Sequence, residues 1–211
     1  MVLRGCSILS NEILKLNGVS KSYPSSADEE ILVLNHISLK LNSKTLYLVL
    51  GPQGSGKSTL LRIAGLLESP SSGTVIFTDK NLTNPEPDER LKFIRREVGF
   101  VPPHPSLLPY LTILENLMLP MIQKNKVKAL EILKSLGVEN VEFYPNQISV
   151  EEQQRASIAR AMINSPQLLL VDEPTSSLSE SGAINIMELL KDLKEKCVVL
   201  TFTDDMKLSK Y

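Results

Sequence analysis

The amino-acid sequence predicts an α/β fold: a core with a mostly parallel sheet, an antiparallel β subdomain made from the N-terminal strands, and a helical subdomain, all within a single domain over residues 1–211. Three observations carry this. Leu46-Tyr47-Leu48-Val49-Leu50 is an apolar run short enough for a buried strand, and a glycine loop and a helix follow it directly. Leu168-Leu169-Leu170-Val171 is a second such run, closed by Asp172-Glu173. Between them, residues 110–165 change to apolar side chains at helical spacing.

In chain order, Ile13-Leu14-Lys15-Leu16, Leu32-Val33-Leu34 and Ile37-Ser38-Leu39-Lys40-Leu41 read as strands. The polar stretch from Ser20 to Glu30, with Pro24 and several small residues, reads as a hairpin loop. Leu60 to Leu67 is expected to line one side of a buried helix. Val127, Leu130, Leu133 and Leu136, then Ile158, Ala161 and Met162, mark the helical subdomain over about residues 105–165, broken by Gly137 and Pro145. The core and β subdomain take about residues 12–104 and 166–211, where Leu168–Val171 is a central strand, residues 184–193 an amphipathic helix and residues 198–201 a last strand.

Composition narrows the function. With 42% hydrophobic and 22% charged residues the chain is globular, which excludes collagen, coiled coil and a disordered chain. A net charge of −1, with Lys and Arg scattered, gives no basic surface for nucleic acid. Cys6 and Cys197 have no metal-ligand spacing and no disulfide framework, so a reducing cytosol is expected. No window reaches the ~18 to 20 apolar residues of a membrane span. A secretory signal needs a longer apolar stretch before Leu3-Arg4-Gly5-Cys6, so a lipidated leader is not expected there.

Gly51-Pro52-Gln53-Gly54-Ser55-Gly56-Lys57-Ser58-Thr59 fits the P-loop pattern and stands between a strand and a helix, where the chemistry needs it. Gly51, Gly54 and Gly56 let successive backbone N–H groups, including those of Gln53 and Ser55, curve around phosphates, and the helix N-terminus adds partial positive charge. Lys57 is expected to reach the β- and γ-phosphates, and the Ser58 hydroxyl, next to Thr59, to hold Mg²⁺. Asp172, at the end of its strand, is a candidate Mg²⁺ ligand through water. Glu173 is a candidate general base for an attacking water.

Together with these two motifs, Lys21-Ser22-Tyr23, Leu111-Thr112-Ile113-Leu114-Glu115-Asn116, Arg155-Ala156-Ser157-Ile158-Ala159-Arg160-Ala161 and Asp172-Glu173-Pro174-Thr175-Ser176 carry a resemblance. From about residue 12 onward the sequence resembles an ATP-binding subunit of an ABC transporter; the Leu107-Leu108-Pro109-Tyr110-Leu111-Thr112 stretch is most similar to the lipoprotein-release and macrolide-export kind. The resemblance implies a P-loop NTPase core, ATP and Mg²⁺ as ligands, and Tyr23 stacked on adenine. It also implies a head-to-tail homodimer or heterodimer, a transmembrane transporter subunit as partner, and a cytoplasmic place at the inner face of the membrane.

Four positions depart from the family pattern. Ile148-Ser149-Val150-Glu151-Glu152 stands where the family has Leu-Ser-Gly-Gly-Gln, which in a dimer faces the partner's ATP. Glu151 facing a triphosphate would cost on the order of 1 to 4 kcal/mol unless it turns away. Pro103 falls at a glutamine that senses Mg²⁺ and the membrane partner, Ser179 at an aspartate, and Asp204 at the γ-phosphate switch histidine. Thr203 and His104 are the nearby candidates to replace that histidine; His36 is a strand residue far from it.

Two functions therefore remain open from the sequence. One is an ATPase subunit with Glu173 and Lys57 as catalytic residues. The other is an ATP-binding regulatory module with weak or no turnover. A P-loop kinase for a small molecule would leave the segments Leu111 to Asn116 and Arg155 to Ala161 unexplained.

Overall fold

The computed structural model describes residues 11–25 and 29–210. The elements run β1 (Glu12–Pro24), β2 (Glu30–Asn42), β3 (Leu46–Leu50), α1 (Lys57–Ala64), β4 (Ser72–Phe77), β5 (Lys80–Asn81), α2 (Pro87–Glu97), β6 (Val98–Val101), α3 (Ile113–Met118), α4 (Lys126–Ser135), α5 (Val150–Met162), β7 (Leu168–Asp172), α6 (Glu180–Leu193) and β8 (Val198–Thr203). Two four-stranded sheets form, in orders β2-β1-β4-β5 and β3-β8-β7-β6. The first is antiparallel throughout and the second parallel throughout, as the sequence predicts.

The parallel sheet separates two cores, and the strand period of two decides which side chain joins which. Along β7, Leu168 and Leu170 pack with α1 and the antiparallel sheet. Leu169 and Val171 pack with α3, α4, α5 and α6. On β8, Val198, Leu200 and Phe202 join the first cluster and Val199 the second. A strand apolar on both faces is what the uninterrupted run at Leu168 encodes. β3 differs from expectation, since it is the edge strand and only half-buried.

Ser20 to Glu30 is not a loop along its whole length. β1 continues to Pro24, with Lys21, Ser22 and Tyr23 paired to Leu34, Leu32 and Ile31 of β2. These polar residues occupy half-exposed positions of an antiparallel sheet, which tolerates them on its wet face. The two short strands expected at Leu32 and Ile37 are one strand, kinked at His36, whose φ is 51°. α1 ends at Ala64, short of Leu67, because the chain turns at Gly65 and Leu66 has φ 59°.

The helical subdomain follows its predicted punctuation: α4 stops before Gly137, at φ 74°, and Pro145 opens a 3-10 turn before α5. Val127 stands apart from the predicted stripe and is exposed, while Ala129 and Leu133 carry α4 into the core. α6 begins earlier than residue 184, because the Ser179 hydroxyl caps it by accepting from the Gly182 N–H at 3.2 Å. α2 has only a short apolar signal: none of its residues is fully buried, and Phe93 and Ile94 pack half-buried against the core under the antiparallel sheet. Its cues are Pro87 at the start, Asp88 and Glu89 in the first turn, and Arg95 and Arg96 in the last. Cys197 is buried with its thiol pushed up to about 12 by burial, and Cys6 lies outside the described residues. Among the described residues, no helix is long and apolar enough to cross a membrane.

Candidate functional site

All four strands of the parallel sheet point the same way, so their C-terminal ends share one edge of the molecule. Each end delivers residues to one cavity of about 530 Å³: Gln53, Gly54, Gly56, Lys57, Ser58 and Thr59 after β3, Pro103 and His104 after β6, Asp172, Glu173 and Ser176 at the end of β7, and Asp204 after β8. This is the place where open α/β sheets hold ligands.

Backbone bonds fix the edge. The Gly51 N–H donates to the Thr203 carbonyl at 3.3 Å, and the Glu173 N–H donates to the Phe202 carbonyl at 2.9 Å. Glu173 itself is held at φ 42°, a conformation costly for a residue with a side chain. The loop after β3 needs its glycines for two different reasons. A Cβ on Gly51 would come within 2.7 Å of the Ser55 hydroxyl; Gly56, at φ 89°, lies under β2, where a Cβ would meet Leu34 at 3.0 Å and the Val33 carbonyl at 3.1 Å. That contact also brings Val33 to the cavity wall, a residue with no functional signal in the sequence.

The N-terminus of α1 is uncapped. Gly56, its N-cap, has no side chain to bond the first N–H groups and no acid stands in its first turn, whereas Thr112, Asn125, Ser149 and Ser179 cap α3 to α6. Those donors and the helix dipole face the cavity and suit an anion. Lys57 reaches across the loop, donating to the Gly51 carbonyl at 2.6 Å and the Pro52 carbonyl at 3.1 Å, with its Nζ 3.7 Å from a Glu173 oxygen.

The acids opposite are strongly placed. Burial, then the neighbouring Glu173 charge, raises Asp172 above the ordinary carboxylate range, with Lys57 and Arg62 partly offsetting both. The Asp204 N–H donates to Glu173 Oε2 at 3.4 Å. Ser58, Asp172 and Glu173 offer hard oxygen donors but no complete cage, and among the described residues no cluster of three His, Cys, Asp or Glu holds a metal alone. That set fits Mg²⁺, which keeps several waters and completes its shell with phosphate oxygens.

Gly51 and Ser55 shape the loop without lining the cavity, and Tyr23 also lies outside its wall. The Tyr23 hydroxyl donates to Glu68 at 2.9 Å and accepts from Arg62 at 3.2 Å, and the Lys21 ammonium sits 5.2 Å from its ring centroid. Glu68 is held below the ordinary range although burial alone would raise it, because Lys21, Tyr23 and Arg62 all donate to it. Thr203 is fully buried, and its hydroxyl accepts from the Asp205 N–H at 3.1 Å. His104 does line the cavity; His36 does not.

Glu151 is turned to its own chain. Its Oε1 accepts from Arg155 at 3.0 Å and from the Asn185 amide at 3.1 Å, and Arg155 also donates to the Leu136 carbonyl at 3.1 Å. The condition under which its charge would not oppose a facing triphosphate is therefore met within this chain.

A family model described as ABC transporter matches residues 34–176. The uncharacterized ABC transporter ATP-binding protein MJ0796 of Methanocaldococcus jannaschii is 38% identical over 94% of this chain and 90% of its own length. The macrolide export ATP-binding/permease protein MacB of Salmonella typhimurium is 36% identical over 87% of this chain, which spans only 29% of that longer protein. Among solved structures, a dimeric post-hydrolysis state of the MJ0796 cassette bound to ADP and Pi is 36% identical and superposes with a TM-score of 0.84 over 94% of this chain and 90% of that one. With the phosphate-binding loop, the paired carboxylates and the two sheets all in the family arrangement, the chain belongs to the ABC transporter ATP-binding cassettes.

Proposed function

We propose that the chain binds ATP with Mg²⁺ in the cavity at the sheet edge and hydrolyses it to drive a separate transmembrane transporter subunit. The observation that carries this is the convergence of Lys57, the open N-terminus of α1, Asp172 and Glu173 on one cavity. Lys57 and the loop N–H groups bind the phosphates. Ser58 and Asp172 hold the metal, which when bound neutralises charge developing on the phosphate oxygens. Glu173 orients and polarises the attacking water, and Tyr23 offers its ring to the adenine.

In this reading two cassettes close head to tail, and α5 presents Ser149 to the partner's nucleotide; the MJ0796 cassette is dimeric in its solved structures. The membrane subunit docks in a second cavity of about 510 Å³, lined by Phe100, Leu108, Leu119, Pro120, Arg160 and Asn164 among others. Phe100 and Leu119 are 38% and 49% exposed, which suits an apolar helix end from a partner. The prolines at 102, 103, 105 and 109 stiffen this side and weaken coupling; unchanged ATPase on adding the membrane subunit is expected, and strong stimulation would count against it.

Asp204, a carboxylate in the cavity beside Glu173, supports a second reading in which ATP is bound but turned over slowly or not at all. Turnover by the purified chain against Glu173→Gln separates the two. A rate lost by about 10²- to 10⁴-fold in the variant supports the ATPase. Tight ATP binding with no turnover in either protein supports the module, and absence of ATP binding sinks both.

A further inference from the structure

The side-chain charge of the nucleotide cavity is unbalanced. Among the residues lining it, Asp172, Glu173 and Asp204 are acids, and only Lys57 and His104 have side chains able to bring positive charge or a ring N–H to an anion. Lys57 is already drawn toward Gly51, Pro52 and Glu173. The end of β8 contributes a backbone N–H aimed at Glu173 and, through Asp204, another carboxylate. A terminal phosphate beside Glu173 finds no side-chain donor on that strand end; the loop after β6 supplies one.

His104 stands on a turn that is pinned in place. Pro103 and Pro105 flank it with fixed φ. Ser106, at φ 47°, donates its hydroxyl to the His104 carbonyl at 3.0 Å. Arg160 of α5 donates to the carbonyls of Pro105 at 3.1 Å and Ser106 at 2.9 Å. The ring is located too, since its Nδ1 is 3.5 Å from the Ser177 hydroxyl in the segment after β7. Where that hydroxyl donates to Nδ1, the ring hydrogen is on Nε2, free to donate to a ligand.

We propose that His104 contacts the terminal phosphate of a bound nucleoside triphosphate from the loop after β6, so that this residue sets the preference for ATP over ADP. The proposal rests on the reading of the cavity as an ATP site.

Calorimetric titration of Glu173→Gln protein with ATP·Mg²⁺ and ADP·Mg²⁺ tests it at equilibrium, without turnover. Adding His104→Ala should weaken ATP about tenfold, the effect of one charge-assisted hydrogen bond, and leave ADP unchanged. Adding Asp204→His to that protein should restore the ATP preference. Equal affinities with and without His104, or equal losses for both nucleotides, overturn the proposal while leaving ATP binding intact. A parent that binds neither nucleotide overturns the ATP reading and the proposal with it.

Discussion

One wall of the cavity is built from the loop after β3, the start of α1 and the end of β7; the other from the segments that follow β6 and β8. The first holds its groups with backbone: Gly51 and Gly56 leave no room for a side chain, Glu173 is locked at positive φ, and both strand ends are bonded to β8. The second works through side chains on turns: His104, together with Pro103 and Asp204, which stand where the family resemblance expects other residues. The first wall is thus rigid through its backbone, and the second is held by side-chain bonds to the carbonyls of its turn, those from Ser106 and Arg160.

The sharpest way to break this contrast is to compare Lys57→Ala with Asp204→Ala. Loss of Lys57 removes charge-assisted bonds to the phosphates and should lower ATP affinity about 100-fold. Loss of Asp204, an exposed charge, should change it by less than about tenfold. Calorimetry measures both, and equal effects would erase the distinction between the walls.

The start of α5 extends the comparison to the face that a second cassette would meet. Arg155 ties Glu151 to the Leu136 carbonyl, so Arg155→Ala should lower stability by about 1–2 kcal/mol in urea unfolding, discounted because the pair is partly exposed. A loss near zero would mean that Glu151 is not held by this pair. Restoring glycines at Val150 and Glu151 in Glu173→Gln protein should strengthen ATP-dependent dimerisation about tenfold, read by analytical ultracentrifugation, because backbone then approaches the facing phosphate closely. An unchanged association constant would mean that these side chains already clear the interface.

The local patterns of the cavity were legible in the sequence and its contacts between distant segments were not, for a physical reason. Glycine spacing, a buried strand and a carboxylate at its end are local patterns, and Gln53, Gly54, Gly56 to Thr59, Asp172 and Glu173 line one cavity. Val33 reaches the cavity only because β2 crosses over Gly56, a contact between distant segments that no local pattern encodes. The same holds for the Glu151 to Asn185 bond. In the fold, strands buried on both faces announced themselves, while the polar end of β1 lacked an apolar period and α2 offers too short a one, through Phe93 and Ile94, to reveal it.

The smallest expected effect concerns Asp172, which belongs to the rigid wall yet is destabilising there without its ligand. Burial and Glu173 raise its pKa, so the fold favours the neutral acid. The stabilising contribution is full below the ordinary carboxylate range and is lost as pH rises through the raised value in the folded protein. Above that raised value the charged carboxylate opposes folding until a cation joins it. Asp172→Asn should raise the Tm of the nucleotide-free protein by about 2–4 °C near neutral pH, the gain shrinking as pH falls through the carboxylate range. With ATP and Mg²⁺ present the order should reverse, because ligand binding stabilises the wild-type site more than the variant. A variant that keeps its advantage with Mg²⁺ and ATP bound would remove Asp172 from the metal site and leave its raised pKa a consequence of burial alone.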